Sequence, residues 1–377
     1  MLRYLLLALL ICHGFIHLIG FVAGFGLSQF SNFTGKTLFP VAKQAEVVFT
    51  LLWLVAMLLF LSSGVMYQLH KQAWCFPALA GIVLSQFLVI IYWHDAKAGT
   101  VANVMLILPA LVGYANYTFY TKANREADAI IRRAERGREI VTAEMLNGLP
   151  GCVRNWLTKS NVVGKPFVHT VYLKQNGYMS IKPGGKYMSA TAEQYFAIDK
   201  PAFVWTVKVA MMPGVEITGR DKYEYGHGNM LIKLYSMFTF ANGTGKEIDQ
   251  GTMLRYLGEI CWFPSAALQP YIHWQEVDEH RAKATMTYEG VTASAVFTFD
   301  NDGRLITTEA ERYMGTGKDA TLNHWQIPCT AWRTFHGIQV PVKGNAIWKL
   351  PAGDYDYYRW EITDIQYNIT DVMPPYL

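Results

Sequence analysis

Residues 281–305, RAKATMTYEGVTASAVFTFDNDGRL, decide the fold class of the larger part of the chain. Apolar and polar side chains alternate along this stretch, which is typical of strands with one face buried. Asn301-Asp302-Gly303 lies between two such runs and is a strong hairpin signal. The stretch therefore predicts antiparallel strands joined by tight turns.

The same pattern extends on both sides of this stretch, from about Pro166 to residue 368. One helix is predicted over residues 248–262, because a periodic run ends just before Pro264. Most strands have no helix between them, so the sheet is expected to be antiparallel, with nine or ten strands curled round one apolar face. These predicted strands are FVHTVYLK, QYFAI, AFVWTVKVAM, YIHWQEV, RAKATMTYEG, TASAVFTFD, RLITTEAERYM, GNAIWKL and YRWEITDIQYN.

Charge is distributed unevenly between the two parts of the chain. Residues 1–121 contain seven charged side chains, whereas residues 122–377 contain 55. A membrane-spanning helix needs about 20 apolar residues, and the N-terminal part contains four such runs. The sequence predicts a bundle of four transmembrane helices, at residues 4–27, 47–67, 74–93 and 101–120.

A further helix is predicted over residues 123–147, with Gly137 as its weak point. We interpret it as a connector, because alternating Glu and Arg is typical of a solvated face. The fold class is therefore α + β multidomain. Residues 1–121 form a transmembrane region, residues 122–160 a juxtamembrane helical connector, and residues 161–377 an antiparallel β-rich domain, a curled sheet or half-barrel with one or two helices.

Basic residues indicate which side of the membrane the β-rich domain occupies. Six Lys and Arg residues lie between Lys122 and Arg138, whereas the loop at 94–100 carries only Lys97. Short cytoplasmic flanks are enriched in such residues. Arg3 agrees with this assignment, and Lys36 and Lys43 oppose it. The prediction places both ends of the bundle and the β-rich domain in the cytoplasm.

Several function classes find no support in the sequence. Nucleic acid is not expected as a partner, because residues 122–377 carry a net charge of only +1 and no basic stripe beyond the connector. There is no G-x-S-x-G, H-E-x-x-H, Walker or C-x-x-C motif, so no catalytic signature is recognised and no cofactor is predicted. The five cysteines show no disulfide or zinc spacing.

The densest polar and aromatic cluster is TMLRYLGEICWFPSA, residues 252–266. Arg255, Glu259 and Trp262 are spaced along one helical face. They form a candidate ligand site in which Arg255 receives an anionic head group. The alternative is a local Arg–Glu pair on a solvated helix.

A second candidate region is GRDKYEYGHGNM, residues 219–230. Arg220 and His227 are candidate ligand-binding residues, although the glycines do not have the arrangement of a phosphate loop. The stretch predicts a strand–turn–strand corner with His227 at an exposed tip.

Histidines in the predicted membrane region are weak haem or metal candidates. His13 and His17 are four residues apart on one helical face, and His94 ends the third span. Two ligands do not make a metal site, so no metal is predicted. The alternative is that His13 and His17 form hydrogen bonds across the bundle.

Five phrases together resemble a bacterial family of unknown function. They are HGFIHLIGF (13–21), HDAKAGTVANVMLIL (94–108), LRYLGEICWFPSAAL (254–268), the opening stretch (281–305) and PAGDYDYYRWEITDIQYN (351–368). The resemblance implies a multi-helix membrane region joined to a β-rich domain, and no established activity. In outline the β-rich domain is also similar to the half-barrels of bacterial lipoprotein carriers, whose motifs are not matched.

The leading hypothesis is a multipass protein of the bacterial cytoplasmic membrane whose β-rich domain binds an apolar or lipid-like ligand. It rests on the density of aromatic residues in a sheet beside the bilayer. One alternative is an enzyme acting on a membrane-associated substrate, with Arg255, Glu259 and either His227 or His273 as acid–base groups. Another is a sensory or protein-docking module.

Overall fold

The computed structural model describes residues 2–27 and 33–373. The chain divides into two compact units. The first, the helical unit, contains the described residues up to Thr121 together with Tyr235–Met237, and the second, the β unit, contains Lys122–Leu234 and residues 238–373.

Four long helices lie where the sequence predicts them. They are α1 (Leu2–Gly24), α2 (Lys43–Gln68), α3 (Cys75–Ile91) and α5 (Gly99–Arg133), with the short α4 (Trp93–Ala96) between the last two. A 3-10 turn, Gln72–Trp74, extends α3 at its start. All four are long and apolar enough to cross a membrane by length and composition.

The helix predicted over residues 123–147 is confirmed only as far as Arg133, where it is the end of α5 rather than a helix of its own. α5 continues without interruption to Arg133, and the chain beyond it is extended until the next short turn. Residues 139–141 instead pair with residues 164–167, where Val141 N–H donates to the Lys165 carbonyl at 2.9 Å. Because Gly137 weakens the helix and this pairing satisfies the backbone beyond it, α5 ends early. The connector also contains α6 (Gly151–Lys159).

The β unit contains one antiparallel sheet of thirteen strands. The strands are β1 (Thr170–Met179), β2 (Met188–Ala197), β3 (Ala202–Met212), β4 (Val215–Glu224), β5 (His227–Leu234), β6 (Phe238–Gly243), β7 (Ile272–Glu276), β8 (Arg281–Tyr288), β9 (Val291–Phe299), β10 (Leu305–Met314), β11 (Thr321–Phe335), β12 (Ile338–Leu350) and β13 (Gly353–Tyr367). Their order across the sheet is β6-β5-β4-β3-β2-β1-β13-β12-β11-β10-β9-β8-β7.

The antiparallel, curled sheet is confirmed, but the predicted number of strands, nine or ten, is lower than the thirteen in the structure. All nine of these predicted strands are present, and β6 and β11 are strands that the sequence did not predict. The predicted corner at residues 219–230 is confirmed as the β4–β5 hairpin, and the hairpin at Gly303 joins β9 to β10. β11 is hidden in the sequence because Pro328 and register shifts near Cys329 and Ala331 disturb its alternation.

One helix lies against the concave face of the sheet. α7 (Lys246–Glu259) connects edge strand β6 to edge strand β7, continues as a 3-10 turn at Ile260–Trp262, and ends before Pro264 as predicted. Its buried residues Tyr256 and Leu257 pack into the main apolar core. The end of α5 packs on the opposite face, where Ile130 and Ile131 join Tyr172 in a second core. The sheet is therefore covered on both faces near its centre.

Candidate functional site

The concave face of the sheet and α7 enclose a cavity of about 410 Å³, which we call the sheet cavity. Strands β3 to β5 contribute to one part of its lining and strands β10 to β13 to another, so the curl of the sheet brings distant strands to one space. Alternation along each strand turns one set of side chains inward. Most of the lining is apolar or aromatic, including Trp205, Val207, Val209, Ile217, Met230, Ile232, Trp262, Trp325, Ile327, Trp348 and Trp360.

Arg255 lies in the lining of the sheet cavity, and two carboxylates compensate its positive charge. Its Nε donates to Glu259 Oε1 at 2.8 Å, and its Nη1 donates to Asp221 Oδ2 at 2.7 Å. The guanidinium carbon lies 4.4 Å from the centroid of the Trp205 ring. The predicted pair of Arg255 and Glu259 therefore faces the cavity rather than solvent, and it includes a third member from β4.

Glu259 is buried within this network. Its second oxygen accepts a hydrogen bond from Gln194 Nε2 at 2.7 Å, and its side chain is 10% exposed. Burial raises the pKa of the Glu259 carboxyl above its usual range, and the positive charge of Arg255 opposes part of that rise. The network holds two carboxylates and one cation, so it adds no uncompensated positive charge to the cavity.

Arg312 is a second cation in the lining, and sequence reasoning missed it. Its Nε donates to the Gly251 carbonyl at 3.1 Å, and its Nη1 donates to the Tyr357 hydroxyl at 3.4 Å. The guanidinium carbon lies 4.6 Å and 5.5 Å from the ring centroids of Trp325 and Trp348. In the described part of the chain, no carboxylate forms an ion pair with Arg312. Its positive charge is therefore held against rings without a counter-ion.

A signal for Arg312 is present in the alternation of β10. Thr308 and Ala310 are buried, and Arg312 follows them at the same spacing of two. An arginine at an inward position of a half-buried strand is a candidate ligand contact.

Trp262 also lies in the lining and is 4% exposed. Its ring contacts Trp360 edge to face, with centroids 5.4 Å apart. Within residues 2–27 and 33–373, its indole N–H has no hydrogen-bond partner. A buried donor left unpaired costs free energy, and an acceptor atom of a ligand would remove that cost.

The structure does not bring Arg220 and His227 to the sheet cavity. Arg220 points to the other face of β4, where its Nε lies 3.2 Å from Glu126 Oε2. The His227 side chain is 80% exposed at the β4–β5 corner and lies 3.4 Å from Asp249. His273 is exposed as well. Among the residues that the structure describes, no histidine therefore lines the cavity beside Arg255 and Glu259.

In the helical unit, His13 and His17 form hydrogen bonds to other helices. His13 Nε2 lies 2.9 Å from Asn103 Oδ1, and His17 Nε2 lies 2.9 Å from Ser85 Oγ. His94 is exposed. Among the described residues, no group of three or more His, Cys, Asp or Glu side chains is placed to hold a metal ion.

Residues 139–360, which cover most of the β unit, match the model of a protein family described as "Family of unknown function (DUF6544)". The chain belongs to this family. The expected membership of a family of unknown function is thereby confirmed, and the DUF6544 match includes α7 and both predicted members of the Arg255–Glu259 pair. No curated protein matches the chain.

Two solved structures resemble the DUF6544 chain at a low level. A DUF1329 family protein from Desulfovibrio piger is 10% identical, with a TM-score of 0.33 over 58% of this chain and 92% of its own. A LolA superfamily protein from Nitrosomonas europaea is 10% identical, with a TM-score of 0.33 over 59% of this chain and 94% of its own. Likeness at this level carries no statement about ligand or function.

Proposed function

We propose that this DUF6544 protein is a multipass protein of the bacterial cytoplasmic membrane whose β unit binds an anionic, lipid-like ligand in the sheet cavity. Residues 1–121 form the membrane region, residues 122–160 the connector, and residues 161–377 the ligand-binding domain on the cytoplasmic side. The lipid bilayer and one amphiphilic small molecule are its proposed partners. The sheet cavity, with its apolar lining and one uncompensated cation, is the observation that carries the proposal.

The outward side chains of the helical unit support the membrane location. Large apolar residues are exposed on its helices, among them Val83 at 72%, Val104 at 64% and Leu108 at 62%. Water-soluble proteins rarely expose contiguous apolar surface of this kind. In a bilayer, hydrocarbon chains would contact these residues, so their apolar surface would not be exposed to water.

The size and lining of the sheet cavity support an apolar ligand. Its volume of about 410 Å³ lies within the range of about 300–1,000 Å³ that is typical of small-molecule sites. Such sites combine an apolar lining with a few polar groups that orient the ligand. Here the aromatic side chains would contact the hydrocarbon part.

Arg312 and Trp262 support an anionic head group. Arg312 lacks a carboxylate partner in the described residues, and the Trp262 indole N–H lacks an acceptor there. A carboxylate or phosphate oxygen accepts hydrogen bonds from both kinds of donor. Arg255 is a weaker candidate for this contact, because Glu259 and Asp221 already neutralise it.

A single substitution that fills the cavity tests the proposal on the full-length protein in detergent. Ile232 lines the cavity on β5, so Ile232→Trp should expel a co-purifying lipid while the melting temperature is retained. Lys233→Trp is the matched control, because adjacent strand residues point to opposite faces. Solvent extraction and mass spectrometry measure the lipid. Equal lipid content in wild type and both variants, or none in any of them, would contradict the proposal.

The head-group contact is tested with lauric acid and with dodecanol, which lacks the charge. Arg312→Gln should weaken lauric acid binding about 10- to 150-fold, because a hydrogen bond to a charged group is worth about 1.5–3 kcal/mol. Dodecanol binding should change little. Arg304→Gln is the control, since Arg304 also lies over a ring, that of Trp332, but pairs with Asp302 outside the lining. Equal losses for acid and alcohol would show that Arg312 shapes the cavity without recognising charge.

An enzyme is the weaker alternative for this unit. Acid–base chemistry at Arg255 and Glu259 was expected to use a nearby histidine, and His227 and His273 are both exposed and outside the lining. We therefore propose binding rather than catalysis.

A further inference from the structure

The helical unit contains a second cavity, of about 340 Å³, which we call the helix cavity. α1 contributes His13, His17 and Gly20 to its lining, α2 contributes Trp53, and α3 contributes Ser85. Asp95 in α4 and Gly99 at the start of α5 complete the lining on one side. An engineered cavity of about 150 Å³ is large enough to bind benzene, so this one has room for a ring with substituents.

Hydrogen bonds around this cavity determine where the ring protons of neutral His13 and His17 lie. His17 Nδ1 is 2.7 Å from the His13 carbonyl oxygen, which only accepts, so Nδ1 carries the proton and Nε2 accepts from the Ser85 hydroxyl at 2.9 Å. Ser85 Oγ in turn accepts from Asn103 Nδ2 at 3.0 Å.

The same chain of hydrogen bonds continues to His13. Asn103 Nδ2 also donates to Gln86 Oε1 at 3.1 Å, so the other amide atom of Asn103 is the oxygen. That oxygen lies 2.9 Å from His13 Nε2, which must therefore carry the proton. His13 Nδ1 is left as a bare acceptor.

Two polar atoms on residues that line the helix cavity are buried and unsatisfied. They are His13 Nδ1 and Trp53 Nε1, on residues that are 2% and 5% exposed, and neither has a partner among the described residues. The Trp53 ring lies directly against Gly20, where a Cβ would come within 2.5 Å of it. Two lining residues therefore supply one unsatisfied hydrogen-bond acceptor and one unsatisfied donor, the latter on a ring held in place by close packing.

The remaining lining restricts the charge and shape of the ligand. Asp95 disfavours an anion, and it has no ion-pair partner in the part of the chain that the structure describes. Phe33 and Trp53 supply aromatic walls. Ile16 and Ile19 are also in the lining and are 57% and 36% exposed, so the cavity borders the apolar outer surface of α1.

We propose that the helix cavity binds the head group of a neutral, hydroxylated aromatic lipid of the quinol type. A ring hydroxyl donates a hydrogen bond to His13 Nδ1, and a ring oxygen accepts one from the Trp53 indole N–H. The hydrocarbon tail leaves past Ile16 and Ile19 along the apolar surface of α1. Entry from the bilayer rests on the proposed membrane location, whereas the ligand of the sheet cavity plays no part in it.

Decylubiquinol and decylubiquinone test this assignment with the full-length protein in nanodiscs of uncharged lipid. The quinone has no hydroxyl to donate to His13, so the quinol should bind about two- to tenfold more tightly, as one net hydrogen bond implies. Trp53→Phe keeps an aromatic ring at this position and removes the N–H donor, and it should weaken binding of both forms by a similar factor. Trp93→Phe is the matched control, because Trp93 is 41% exposed and outside the lining.

Three results would overturn the proposal: equal binding of quinol and quinone, unchanged binding in Trp53→Phe, or no binding of either form to wild type. Lauric acid binding is measured on the same preparation. It tests the sheet cavity, so failure of the quinol proposal can be distinguished from failure of the function proposed for the sheet cavity. Melting temperatures of both tryptophan variants exclude misfolding as the cause of a loss. Gly99→Leu supplies an independent occlusion test, because a Cβ at Gly99 would lie 3.9 Å from the His13 ring.

Discussion

Arg255→Met removes the cation of the buried network and leaves the carboxylates of Glu259 and Asp221, which both contact its guanidinium, without a positive charge between them. Arg255, Glu259 and Asp221 have side chains that are 13%, 10% and 19% exposed, so solvent compensates little of the change. Breaking a buried pair by removing one partner costs about 3–5 kcal/mol. For a unit of this size, about 2–4 °C of melting temperature correspond to each kcal/mol, so we expect a drop of about 6–20 °C at neutral pH.

The loss should depend on pH in one direction. Without Arg255, burial raises the pKa of Glu259 further above its value in the unfolded chain, about 4.3. The folded state then holds a proton that the unfolded state releases. Stability is therefore retained below the unfolded pKa and lost as pH rises through the folded pKa. The deficit of Arg255→Met relative to wild type should be larger at pH 8 than at pH 5.

Thermal melts of the full-length protein in detergent, followed by tryptophan fluorescence at both pH values, measure this effect. Arg255→Met/Glu259→Leu should recover much of the loss, because replacing both charges leaves fewer buried and unpaired groups. Arg304→Met is the control, since its ion pair is 35% and 64% exposed and such pairs contribute about 0–1 kcal/mol. A melting temperature of Arg255→Met less than 2 °C below that of wild type, which corresponds to about 1 kcal/mol or less, would refute the reasoning. An equal loss of melting temperature at both pH values would refute it as well.

Three further predictions concern the β unit. Gly303→Ala should destabilise the β unit by about 1–3 kcal/mol, because Gly303 has φ of +79° and an added Cβ would lie 2.9 Å from the Asn155 carbonyl oxygen. An unchanged melting temperature in thermal melts would contradict this. Burial raises the pKa of Cys329 to about 12 and that of Cys261 well above its usual range, so at pH 8 a maleimide should label both thiols only after unfolding, as peptide mapping would show. Trp156→Ala should cost about 3–5 kcal/mol, since Trp156 is 2% exposed among three aromatic rings, and a shift below 2 °C would oppose it.

Local patterns predicted the elements of this fold well. The alternation in residues 281–305, the glycine of its hairpin and the proline after α7 are each signals within a few residues of the structure they specify. The end of α5 was missed because it depends on pairing with residues 164–167, which no local pattern of residues 123–147 reveals.

The candidate site was predictable only where its contacts are local. The spacing of Arg255 and Glu259 is visible on one helix, whereas Asp221 and Gln194 reach them from separate strands. Arg312 illustrates the same limit, since its rings and hydrogen-bond partners come from α7, β11, β12 and β13. Only the curl of the sheet brings these elements together.

The order of strands has a consequence for how the chain is synthesised. Every pairing in the described sheet joins strands that follow one another along the chain, except that of β1 with β13, in which Val171 lies opposite Tyr367. On the ribosome, the hairpins from β1 to β6 and from β7 to β12 can form as they emerge, but β1 remains an open edge until the final strand is translated. An open edge invites pairing with other nascent chains. A premature stop within β13 would therefore release two half-sheets with unprotected edges.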